Sequence, residues 1–177
     1  AKPVPYTEDV HFRRTREYMA DDQRFASRRP DVLTFETDVL DEDLTLAGPV
    51  IANLKVSISG TDADFVVKVI DVFPDNFQYS EANSSPTGRS GVASYPMNGY
   101  QMLVRGEIMR GKFRNSFTTP EPFKPNKIET VEFALPDVAH TFKKGHRLMI
   151  QVQSSWFPLA DRNPQQFMNI YEAKPIN

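Results

Sequence analysis

Fourteen prolines are scattered through this chain, which argues against long helices and leaves short extended runs between turns. Within those runs apolar and polar residues alternate, and turn-forming Gly, Asp and Pro recur at the breaks, the pattern of an all-β sandwich. The clearest run is 50–59: Val50, Ala52, Leu54, Val56 and Ile58 share one face, Asn53, Lys55, Ser57 and Ser59 the other. A one-residue slip would reverse that burial, so the register is well specified. Residues 65–73 are more continuously apolar, as a central strand covered on both faces would be. Further strands are predicted over 100–109, with Gly106 as a bulge or kink, and over 131–135, stopping at Pro136. A tight turn at Lys144-Gly145 leads into 147–153, whose Leu148, Ile150 and Val152 are expected in the core. Shorter candidates are 32–37 and 44–46.

A length of 177 residues suits one domain with a proper core, and 40% hydrophobic with 25% charged residues is ordinary for a globular chain. A net charge of −2 gives no electrostatic footprint for nucleic acid or an anionic membrane. No apolar run approaches the length of a membrane-spanning helix. The absence of cysteine rules out a disulfide scaffold and a thiol nucleophile. Ala1 to Pro5 reads as an extended linker, so the chain is expected to be a segment of a longer polypeptide. Any targeting signal would lie upstream, and the compartment stays unassigned. Residues 6–29 are charge-rich and read as an irregular lead-in with one helical turn. Residues 75–98 are polar and rich in Gly, Ser and Pro, a loop long enough to be either functional or mobile.

Catalytic grammar is sparse. Gly88-Arg-Ser-Gly91 is the nearest approach to a Gly-x-Ser-x-Gly elbow, but its spacing is wrong and a turn is the better reading. Ser154 and Ser155 sit at a strand end, where backbone or cross-strand hydrogen bonding accounts for them. His11, His140 and His146 lack cysteine partners and His-x-His spacing, so they read as turn and strand-edge residues. Asp62 and Asp64, with Asp71 and Asp75 beyond, could offer oxygens to Ca²⁺. They fall at a turn without calcium-loop grammar, where carboxylates cap backbone N–H groups. No metal and no cofactor is expected. Trp156-Phe157 in a loop reads equally as a plug at the end of the sandwich or as the wall of a pocket or docking surface. Asp161-Arg162-Asn163-Pro164 reads as a local Asp–Arg pair and an Asx turn before proline.

Several segments, taken in order, resemble one known domain: Asp22-Gln-Arg24 with Arg29 to Leu33, Leu46 to Val50, Ser59 to Phe65, and Lys68 to Asp75. Gly99 to Glu107, Arg110 to Arg114, Leu135 to His140 and Lys144 to Pro164 continue the series. Together they are similar to the C-terminal jelly roll of the cocaine esterase, α-amino-acid ester hydrolase and glutaryl-cephalosporin acylase family, to which X-Pro dipeptidyl-peptidases are related. The resemblance implies an all-β jelly-roll sandwich, galactose-binding-domain-like, over residues 31–177, with 1–30 a lead-in from an upstream catalytic domain. It also implies an upstream α/β-hydrolase domain carrying the Ser-Asp-His triad, so that catalytic residues are expected to be absent here and the chain alone inactive. The sandwich would pack on that domain and shape its acyl pocket. Phe12, Trp156, Phe157, Asp161, Arg162 and Asn163 are the candidate pocket or interface residues, Phe12 by a loose match to the family's lead-in. Two other readings compete. A carbohydrate-binding jelly roll would need Trp156 as an exposed platform beside Asp161 and Asn163, and an oligomerisation domain would make the partner a second copy.

Overall fold

The structure, a computed structural model, describes residues 22–77, 97–157 and 159–174. One helical turn, α1 (Arg24–Ser27), precedes six strands: β1 (Val32–Glu36), β2 (Leu44–Ser57), β3 (Asp64–Val72), β4 (Gln101–Arg110), β5 (Ile128–Phe142) and β6 (Arg147–Gln153). All pairings are antiparallel. The four-stranded sheet has the order β1-β6-β3-β4, and a two-stranded sheet, β2-β5, packs against it. The all-β sandwich expected from the alternating runs is the observed architecture. The helical turn expected in the lead-in is α1.

The strand expected to stop at Pro136 runs on to Phe142, and the two runs 44–46 and 50–59 join into one long β2. The cause is a shared irregularity. Gly48 pairs with Val138 and Val50 with Leu135, so Pro49 stands opposite Pro136 and Asp137 outside the regular ladder. A bulge needs no N–H at its unpaired positions, which is why two prolines survive inside paired strands.

β3 lies between β6 and β4 and is buried on both faces, as its continuous apolarity predicted. Phe65, Val67 and Val69 meet Val131, Phe133 and Leu135 of β5 in the space between the sheets. Each such side chain removed from water contributes about 1.5–3 kcal/mol. In β4 the ladder slips between Val69–Arg105 and Ile70–Leu103, so the extra residue is Val104, while Gly106 pairs regularly with Lys68. The expected bulge is therefore displaced from the glycine. Gly145 turns at φ +88°, a conformation that glycine reaches without strain, and delivers β6 beside β3. Leu148, Ile150 and Val152 do pack against the core, but only half-buried; Met149 and Gln151 on the opposite face of β6 are buried more deeply.

Candidate functional site

The outer face of the four-stranded sheet carries a covered polar layer. Its centre is Lys68, fully buried on β3. The Lys68 ammonium donates to Gln23 Oε1 at 2.9 Å and lies 5.3 Å from the Trp156 ring and 5.7 Å from Phe25. Its cross-strand neighbour Gln151 is equally buried, and the Gln151 Oε1 atom has no partner. Aromatic faces and an amide stabilise the cation weakly compared with a carboxylate. Burial accordingly pushes the Lys68 pKa down to about 8.

Trp156 is 5% exposed, which removes the platform that the carbohydrate reading required. Its ring approaches β4 closely because Gly106 leaves room: a Cβ there would stand 2.6 Å from the Trp156 ring. Phe157, the next residue, is exposed and stacks against the Arg162 guanidinium at 4.6 Å. That contact replaces the expected Asp161–Arg162 pair. The Asp161 backbone oxygen instead accepts from Arg110 at 3.4 Å. Asn163 does form the expected Asx turn, accepting from the Gln165 N–H at 2.7 Å. It also donates to the buried Asp64 carboxylate at 2.7 Å. Burial raises the Asp64 pKa, opposed by the Asn163 hydrogen bond and by the Arg110 charge. Asp62 caps as expected, taking the N–H groups of Ala63 and Lys112 at 2.9 and 3.1 Å. The loop candidates thus divide: Trp156 and Asn163 fasten the loop from beneath, and Phe157, Asp161 and Arg162 stand on its outer side. Phe12, His11 and the 88–91 segment lie outside the described residues.

Sequence reasoning missed a second cluster. Asp71, buried on β3, bonds His140 Nε2 at 2.8 Å through one carboxylate oxygen and His146 Nδ1 at 2.7 Å through the other. His140 comes from β5 in the opposite sheet, so one carboxylate ties the two layers together. Phe73 packs on His146 with ring centroids 4.5 Å apart. The only sequence signal was Asp71 set among Val69, Ile70 and Val72 in a strand expected to be covered on both faces.

Nucleophilic catalysis needs a serine within hydrogen-bond reach of a base. Both described histidines are engaged by Asp71, and the Ser155 hydroxyl faces the backbone N–H of Phe157 at 3.4 Å. Among the described residues no serine is bonded to a histidine. No group of three or more metal-ligating side chains gathers among the described residues either.

The sequence profile of the X-Pro dipeptidyl-peptidase C-terminal non-catalytic domain matches residues 6–174. The chain belongs to this family. As a non-catalytic C-terminal domain of that type, it has relatives among ester hydrolases and peptidases. The cocaine esterase of Rhodococcus sp. (strain MB1 Bresler) is 33% identical over 142 residues, covering 80% of this chain and 21% of the esterase. A solved α-amino acid ester hydrolase superposes with a TM-score of 0.82 at 45% identity, covering 98% of this chain and 27% of that one. An aminopeptidase from a marine sediment archaeon, Thaumarchaeota archaeon, gives a TM-score of 0.81 at 42% identity over the same shares. This non-catalytic domain therefore spans about a quarter of the length of the relatives it matches.

Proposed function

We propose that residues 31–177 form the sandwich of a larger serine ester or amide hydrolase, with 1–30 leading in from its catalytic domain. The sandwich packs on an α/β-hydrolase domain of the same polypeptide and shapes its acyl pocket. Phe12, Phe157, Asp161 and Arg162 make the contact, and Trp156 and Asn163 hold the contact loop in place. One observation carries the reading: the family match is to a domain that is itself non-catalytic, in relatives roughly four times as long. It is supported by the absence, among the described residues, of a serine bonded to either histidine.

The test is hydrolysis of a p-nitrophenyl ester. The 177-residue chain should give no turnover above buffer, and the longer polypeptide should turn over. Activity of the chain alone that disappears on Ser154→Ala or Ser155→Ala would sink the proposal.

A further inference from the structure

The loop that follows β6 is fastened to the four-stranded sheet at two places of unequal strength. At its far end Asn163 donates to the buried Asp64 carboxylate at 2.7 Å, and its own oxygen holds the Gln165 N–H at 2.7 Å. A hydrogen bond to a carboxylate is among the strong ones. At its near end the Trp156 ring sits in the space above Gly106, against Val66, Leu103 and Ile108. Part of what that ring covers is a cation, the Lys68 ammonium, 5.3 Å away. α1 and the residue before it close the other side, with the Phe25 ring at 5.7 Å and the Gln23 amide oxygen at 2.9 Å.

That cover leaves the cation poorly matched. An ammonium has three donors, and Gln23 takes one. Across the ladder Lys68 meets Gln151 of β6, whose Oε1 has no partner, and Gly106 of β4, which has no side chain. The charged groups of the surrounding elements are Asp22, Arg24 and Arg28 at α1, Arg105 and Glu107 beside Gly106, and Asp161 and Arg162 on the loop. Asp22 is paired with Arg24, and Arg162 stacks on Phe157. Desolvation is accordingly the one cause that moves the Lys68 pKa, from 10.5 down to about 8. Lifting the Trp156 end of the loop returns water to the amine, a gain that is large for the charged form and small for the neutral one. The cover is a four-residue helix and a loop, outside the strand ladders, and so belongs to the part of a fold that opens most readily.

We infer that Lys68 is a pH-sensitive latch on this loop: its charged form favours lifting of the Trp156 end, its neutral form lets the indole close, and the Asn163–Asp64 bond is the hinge. Phe157 moves with Trp156 while Arg162 stays beside the hinge, so lifting parts their stack and re-aims a contact residue. The inference deepens the reading of this loop as a contact with a catalytic domain, and rests on that reading for its use. The lifted state keeps its proton up to about pH 10.5, the closed state only up to about pH 8. Raising the pH between those values therefore closes the loop, and below pH 8 the lifted fraction no longer changes. The opening constant changes by at most about 300-fold, tenfold for each pH unit between the two values.

Trp156 is the one tryptophan in the sequence, so quenching of its fluorescence by acrylamide reads the latch. In the 177-residue chain the quenching constant should fall several-fold from about pH 7.5 to about pH 10.5. In Lys68→Met, which keeps the same tyrosines, it should be low and flat. Lys68→Arg is charged throughout this range and should be quenched strongly at every pH. A wild-type constant that stays level across the window overturns the latch, and that measurement needs no variant to fold. A wild-type fall that Lys68→Met reproduces assigns the titration to another group and overturns it equally. Neither result depends on ester hydrolysis, so failure of the latch and failure of the domain reading appear in different measurements.

Discussion

The two faces of β3 are both buried, yet different means cover them. The inner face, Phe65, Val67 and Val69, meets the regular side chains of β5. The outer face, Val66, Lys68 and Ile70, is covered by α1, Gln23 and the loop that carries Trp156. Strand against strand gives an apolar core with one polar tie at its end, where Asp71 meets His140 and His146. Loop against strand gives a layer that retains a lysine and an unpartnered glutamine oxygen. Regular elements can fill a face with hydrocarbon, whereas loops bring backbone and amides that need polar partners.

The contrast predicts a ranking of effects. The largest belongs to the inner face: Phe133→Ala should cost about 3–5 kcal/mol in urea unfolding, the usual range for an aromatic deletion in a packed core. A cost near that of a surface substitution would show that the inner face is no tighter than the outer one. Next is the pH dependence of Lys68. Its pKa is about 8 in the folded state against 10.5 as a free side chain, so the unfolded chain binds more protons between those values. Stability should therefore rise with pH across that window, by roughly 3 kcal/mol relative to Lys68→Met. Below pH 8 the variant should be the more stable relative to wild type, and a flat difference between the two proteins would contradict the burial of the charge.

Asp71→Asn comes third, with an expected cost of about 2 kcal/mol as charge-assisted bonds become neutral ones. Hydrogen exchange should rise at both 138–142 and 146–149, because the carboxylate spans the two sheets; a rise in one segment only would refute the tie. The smallest effect is Gly106→Ala, about 1–2 kcal/mol for overpacking against the indole. Trp156 is the only tryptophan of the chain, so its emission should shift to the red as the ring is displaced. An unchanged spectrum would place the ring elsewhere.

The strands were legible because their periodicity is local. Alternation in 50–59 set the register of β2, and the continuous apolar run 65–73 announced a strand covered twice. Pro136 misled because its missing N–H is harmless only at a bulge, and the bulge depends on Pro49, which lies far away in sequence. The burial of Trp156 was equally hidden: it depends on the space above Gly106, fifty residues earlier. The Asp71 tie joins residues 69 and 75 positions apart, a pairing that no single sequence displays. Of the loop candidates, the Asx turn at Asn163 was readable from Asn-Pro alone. The partner of Arg162 was not, since two cationic contacts, with Asp161 or with Phe157, are equally compatible with the sequence.

The strand order has a consequence for how the chain is made. β6 comes last in chain order among the described strands, yet it inserts between β1 and β3, and pairs Val32 with Gln153. Until β6 has emerged from the ribosome, β1 lacks its neighbour among the described strands and half of β3's ladder is missing. Such distant pairings cost loop-closure entropy before they gain contacts, and all-β chains of this kind fold in milliseconds to seconds. The domain is thus obliged to fold late and as a whole, and a nascent chain stalled before β6 would expose β3, its most apolar strand, on an unpaired edge.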